Sequence, residues 1–232
     1  MSYTLNMFVV LCISFIVELL ILANFSKVLT RRLSGFFYRI FNSQKVMIHA
    51  LAIMYLPGTI IHELSHMFLA GLMLVHVGNI EVYPEVREDG VRLGSAEIGV
   101  TDPFRRMIIG VAPVLVGLLM ITLGAYFLQS NWGNLAIWQI ILAIYLFFEV
   151  GNTMFSSKKD MEGVVSFFSA ILIVTIIVIA ALYFSGIMAN FDWLNSLNQG
   201  ALLNIVMAVD LALLVPIGID TLLLGVTYLL KR

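Results

Sequence analysis

The sequence predicts an α-helical polytopic membrane protein, with about six transmembrane segments and a β-hairpin after an H-E-x-x-H helix. Three observations carry that expectation. Of 232 residues, 61% are hydrophobic and only 12% charged, with mean hydropathy +1.01, whereas soluble domains hold roughly 25% charged residues. Apolar runs of about 20 residues, enough to cross a ~30 Å hydrocarbon core, recur along the whole chain. One short stretch alone alternates polar and apolar residues with a period of two. Thirteen Lys plus Arg against fourteen Asp plus Glu give a net charge of −1. This balance excludes a basic nucleic-acid-binding face, and the composition excludes a disordered chain and an ordinary cytosolic enzyme. The partners to expect are a lipid bilayer and no nucleic acid.

Residues 1–45 form the first division: a membrane span and a basic interfacial linker. The span is Leu5–Phe25, read as retained because Met1–Asn6 lacks Lys and Arg and no small-x-small site follows. Cys12, the sole cysteine, lies within it and excludes an intramolecular disulfide. Lys27, Arg31, Arg32, Arg39 and Lys45 follow, and the aromatic Phe36–Phe41 suits a segment lying in the interface.

Residues 46–163 form the second division. Val46–His76 is apolar but, at roughly 46 Å as one helix, too long for a single crossing; Pro57-Gly58 offers the break. Across 78–102, Ile80, Val82, Pro84 and Val86 alternate with Glu81, Tyr83, Glu85 and Arg87. Asp89-Gly90 is a turn signal, and Val91–Val100 reads as the returning strand. Spans at Phe104–Leu128 and Leu135–Phe155 follow. Residues 164–232 form the third division, with a span at Gly163–Ile187 overlapping its start. Its last segment, Ala201–Leu230, contains Asp210, Pro216 and Asp220 and should be bent or broken.

His62-Glu63-Leu64-Ser65-His66 carries the chemistry. At 3.6 residues per turn the two histidines share a face and can reach one Zn²⁺ ion, with Glu63 beside them to hold water and take its proton. A hydrolytic zinc site needs a third protein ligand. His49, His76, Glu149, Asp160, Asp210 and Asp220 are the available residues. The bland alternative is that both imidazoles merely hydrogen-bond neighbouring helices. Charged groups at membrane depth are costly and usually functional, which favours the metal.

Asn152 and Asp160 stand eight positions apart after this motif, in Asn152-Thr153-Met154-Phe155-Ser156-Ser157-Lys158-Lys159-Asp160. With the H-E-x-x-H, this pattern resembles the site-2 protease family of intramembrane zinc metalloproteases, which has N-x-x-P-x-x-x-L-D-G at the corresponding place. The following β-hairpin and Gly110-Val111-Ala112-Pro113 look similar as well. The resemblance spans about Pro57 to Gly163. Phe155, Lys159 and Met161 depart from it, replacing Pro, an apolar residue and Gly. It implies that His62, His66 and Asp160 hold one Zn²⁺ ion, that Glu63 is catalytic and that Asn152 positions substrate. It also implies that a membrane-protein or peptide substrate is held as an added strand along the hairpin 78–102; otherwise the hairpin is only a connector.

The expected function is therefore a zinc metalloendopeptidase cutting peptide bonds in or near transmembrane segments. A metal-ion transporter is the main rival, but with four histidines and none beyond His76 the chain lacks the further histidine-bearing helices that the ZIP family of zinc transporters pairs with such a motif. A catalytically inactive membrane chaperone or scaffold is the other, and the intact His62, Glu63 and His66 argue against it. Counting Lys and Arg in the loops places the hairpin, Lys158-Lys159 and both termini in the cytoplasm. The expected location is a multi-pass protein of the plasma membrane, its active site facing the cytoplasmic side. Glu18 stays an unexplained acid within the first span.

Overall fold

The structure, a computed structural model, describes residues 2–81, 85–87, 90–92, 94–155, 158–184 and 199–229. It is mainly helical. Helix α1 (Ser2–Phe41) is followed by α2 (Gln44–Met54) and α3 (Leu56–Leu72), then four short strands. These are β1 (Val77–Glu81), β2 (Glu85–Arg87), β3 (Gly90–Arg92) and β4 (Ser95–Ile98). Helices α4 (Pro103–Asn131), α5 (Ile137–Thr153), α6 (Lys158–Phe184) and α7 (Gln199–Leu229) complete the order.

Three described helical stretches are long and apolar enough to cross a membrane: Val10–Phe41, Pro103–Asn131 and Val206–Leu229. A fourth appears if α2 and α3, bent by 68° at their junction, count as one span. The other two expected spans fall on α5 and α6, whose apolar stretches among the described residues, Ile137–Thr153 and Val165–Val178, are shorter. Two expectations change. Phe36–Phe41 is not a separate interfacial segment but the end of the 40-residue α1. The last segment is unbroken, one helix with Pro216 inside it, and Pro216 lies close against α5. A Cβ on Gly151 would stand 2.8 Å from the Pro216 Cβ.

The helices pack as α1 on α7, α2 and α5, α3 between α4 and α5, and α6 against α4. Leu22, Val111, Val114, Val150 and Leu213 are nearly or wholly buried at the centre. A second cluster joins Leu29, Leu51, Tyr55 and Phe148, in which the Tyr55 and Phe148 rings stack at 6.1 Å. A third, of Ala70, Val75 and Ile109, lies with Val77 and Ile98 at the base of the strands.

Strand β1 pairs antiparallel with β4, Val77 opposite Ile98 and Ile80 opposite Ala96, with an irregularity between them. Strand β2 pairs antiparallel with β3, Arg87 opposite Gly90. Gly90 thus belongs to β3 rather than to the expected Asp89-Gly90 turn, and Asp89 lies outside the described residues. Each described sheet has two strands, so each strand keeps one edge without a strand partner.

Local chemistry explains the helix ends. Asn42 adopts φ 45° after α1 and donates its N–H to the Tyr38 carbonyl at 2.8 Å, a left-handed cap that Asn tolerates. Asp102 caps α4 by accepting from the Arg105 N–H at 3.0 Å, which with the Arg105 charge holds its carboxyl below the usual carboxylate range. After α3, Leu74 N–H donates to Gly71 O and Val75 N–H to Ala70 O, a Schellman closure. Leu74 takes the left-handed position, φ 56°, where glycine is usual.

Candidate metal centre

Helix α3 carries the H-E-x-x-H motif on its inner face. Pro57 in the first turn has no N–H to satisfy, and its ring presets helical φ. From there Gly58, Thr59, His62, Glu63, Ser65, His66 and Ala70 are buried. Three of these are the expected site: His62 is 4%, Glu63 7% and His66 7% exposed. Burying a carboxylate and two imidazoles on an apolar helix is costly unless they find polar partners.

The imidazoles converge as the spacing predicts. The Nε2 atoms of His62 and His66 are 3.2 Å apart, and the rings meet edge to face at 84°. Two nitrogens bound to one tetrahedral zinc at about 2.0–2.1 Å stand about 3.3–3.4 Å apart, so the pair has the bite such an ion requires. The other ring nitrogen of His66, Nδ1, donates to the Ile109 carbonyl of α4 at 2.8 Å. That bond fixes the ring and leaves the lone pair on Nε2, the arrangement found around ligating histidines. These two residues fit a zinc ion.

A carboxylate from another helix anchors the start of α3. The Gly58 N–H, one of the amides that the first turn leaves without an intrahelical acceptor, donates to Glu149 Oε2 of α5 at 3.2 Å. Tyr55, at the N-cap, makes no side-chain capping bond, so Glu149, wholly buried, supplies the cap from α5. Closeness demands glycine here. A Cβ on Gly58 would meet the Glu149 carbonyl oxygen and the Thr153 side chain at 2.7 Å.

One turn further along α5, Asn152 donates through Nδ2 to Asp220 Oδ1 of α7 at 2.8 Å and to the Phe148 carbonyl at 3.0 Å. The Ser26 hydroxyl of α1 donates to the Asn152 carbonyl at 2.6 Å. Asn152 is 3% exposed, and this geometry makes it a brace tying α5 to α7 and α1. Asp210 and Glu18, on α7 and α1, are buried carboxylates that do not join the histidines.

The fold brings His62 and His66 together, and Glu63 is buried next to His62 in the chain. Asp160 falls in the first turn of α6, which packs on α4, and its side chain lies outside the described residues. Among the described residues no third His, Cys, Asp or Glu joins the pair. His49 bonds its own helix through Lys45 O at 2.7 Å. Ile109, Ser26 and the capping role of Glu149 escaped the sequence reading, since each of the three contacts has a backbone group on one side and joins residues distant in the chain. Comparison with protein-family models, curated proteins and solved structures finds no match.

Proposed function

We propose that the chain is an intramembrane zinc metalloprotease hydrolysing peptide bonds in or near the transmembrane segments of membrane proteins. The observation that carries this reading is the buried His62–His66 pair, its Nε2 atoms 3.2 Å apart, with Glu63 adjacent on the same helix. When bound, zinc supplies a Lewis acid that polarises the scissile carbonyl and makes water nucleophilic near neutral pH. His62 and His66 hold it. Glu63 takes the proton from the attacking water and passes it to the leaving amine nitrogen. Asp160 completes the ligand set, in keeping with the resemblance to site-2 proteases.

Substrate hydrogen-bonds as an added strand to an open edge of β1 or β4, whose base packs beside Ile109 and the end of α3. Extended backbone suits hydrolysis because a helical segment hides its carbonyls in its own hydrogen bonds. The protein crosses the plasma membrane several times, with the site opening to the cytoplasmic side.

The test pairs metal analysis of purified protein with cleavage of a co-expressed transmembrane substrate. Wild type and Glu63→Gln should both carry one zinc per chain, while the variant loses about 10²–10⁴-fold in cleavage, the usual worth of general acid–base catalysis. Asp160→Ala should lose both metal and cleavage. Turnover by Glu63→Gln within about threefold of wild type sinks the assigned base. Zinc flux into liposomes without cleavage replaces the protease by a transporter.

A further inference from the structure

We infer that Pro113 is a positioning residue for the metal centre: its missing N–H releases the Ile109 carbonyl, and that carbonyl sets the tautomer and orientation of His66. The inference rests on reading His62 and His66 as metal ligands. Helix α4 runs unbroken from Pro103 to Asn131 with Pro113 inside it. In an α-helix the N–H of each residue donates to the carbonyl four residues earlier, so position 113 would serve Ile109. Proline has no such hydrogen, and its ring crowds that carbonyl and turns it away from the helix axis.

The Ile109 oxygen therefore lacks its ladder partner in an apolar setting. Ile109 is 4% exposed, and Val111 and Ala112 beside it are fully buried. A carbonyl left orphaned there is unfavourable, and prolines persist in such helices where a neighbouring group satisfies it. His66 is that group, its Nδ1 2.8 Å from the oxygen. A carbonyl only accepts, so Nδ1 must carry the ring hydrogen. Nε2 then keeps its lone pair, and Nε2 is the atom that faces His62. The proline and the histidine thus complete each other across the α3–α4 contact. Were residue 113 to regain an N–H, the carbonyl would be drawn back along the helix axis and shared, and its hold on the ring would weaken.

The experiment uses the full chain in detergent with Pro113→Ala and Pro113→Val, both acceptable in a helix, each checked for folding by thermal unfolding. Histidine-selective ¹⁵N labelling of the metal-free protein, which has four histidines, reads the tautomer of His66. Co²⁺ titration reads the site by its visible spectrum. Wild type should show His66 protonated at Nδ1, with a slowly exchanging ring proton. Both variants should show mixed tautomers, faster exchange and about tenfold or greater loss of Co²⁺ affinity, the size expected when the partner of a ligating histidine is disturbed. Variants that keep the tautomer and slow proton overturn the inference, whether or not their stability changes. Should wild type bind no Co²⁺, the metal reading fails, and the tautomer comparison alone still decides what Pro113 does to His66.

Discussion

A single hydrogen bond from Gly58 to Glu149 anchors the helix that carries the candidate site, and it defines the first prediction. Glu149→Ala removes the only acceptor shown for a buried amide and should destabilise the protein by about 1–3 kcal/mol, the penalty for stranding such a group. Glu149→Gln keeps an acceptor oxygen and should recover most of that loss. Chemical unfolding in detergent checks both, and equal stabilities for Ala and Gln would remove the cap from the account. Gly58→Ala should be as harmful for a steric reason, since its Cβ would press within 2.7 Å of backbone on α5. Overpacking of this kind is typically worth about 1–3 kcal/mol. At this scale the sequence was partly legible. His62 and His66 were readable because helical periodicity alone puts them on one face, with Glu63 next in the chain. Glu149 was visible as an ionisable group inside an apolar run. What it caps was not, because its partner is an amide ninety-one positions away, and backbone amides leave no mark in a sequence.

Among the elements, the junction between α3 and the strands stores strain that a substitution can release. Leu74 closes the Schellman motif at φ 56° with its side chain almost fully exposed. A residue with a Cβ is disfavoured there by roughly 1–2 kcal/mol. Leu74→Gly should therefore raise stability by about 1 kcal/mol, after allowing for the greater chain entropy that glycine loses. Unchanged or lower stability would mean that the Leu74 side chain makes up the difference through contacts of its own, with lipid for instance. The strands invite a different test. A proline scan along Val77–Glu81 and Ser95–Ile98 removes one backbone donor at a time. If an edge holds substrate, cleavage should fall at the positions whose N–H faces outward, while metal content stays at wild type. Uniform cleavage across both strands would reduce them to a connector. The alternation of residues made this region legible as β structure, and Pro57 made the α2–α3 break legible. The length of α1 was not. Its charged residues read as a loop, yet Lys27, Arg31 and Arg32 lie exposed along the helix, where their charges need no break in the backbone.

The arrangement of the whole molecule turns on whether α2 and α3 make one crossing. Taken as a single bent span, they put the α1–α2 corner at Asn42 on the opposite side from the strands. Lys27, Arg31, Arg32, Arg39 and Lys45 then count five for the corner side. Arg87, Arg92, Arg105, Arg106, Lys158, Lys159, Lys231 and Arg232 count eight for the other. If α5 and α6 also cross, that excess predicts a cytoplasmic strand side by the positive-inside rule. The margin is narrow because α1, about 60 Å long at 1.5 Å per residue, reaches well past a ~30 Å core and carries its basic residues in its far half. Side and crossing number are tested together by labelling. Cys12 is the only cysteine, so Cys12→Ser gives a silent background into which Asn42→Cys and Val100→Cys, both at exposed positions, are introduced singly. A membrane-impermeant maleimide should modify Asn42→Cys in intact cells and Val100→Cys only after permeabilisation. The reversed pattern would place the strands, and with them the mouth of the site, outside. Labelling of both residues from one side would make α2 and α3 a re-entrant pair. The candidate metal pair would then sit near the tip of a loop dipping into the bilayer, with water reaching His62 and His66 from the side shared by the corner and the strands.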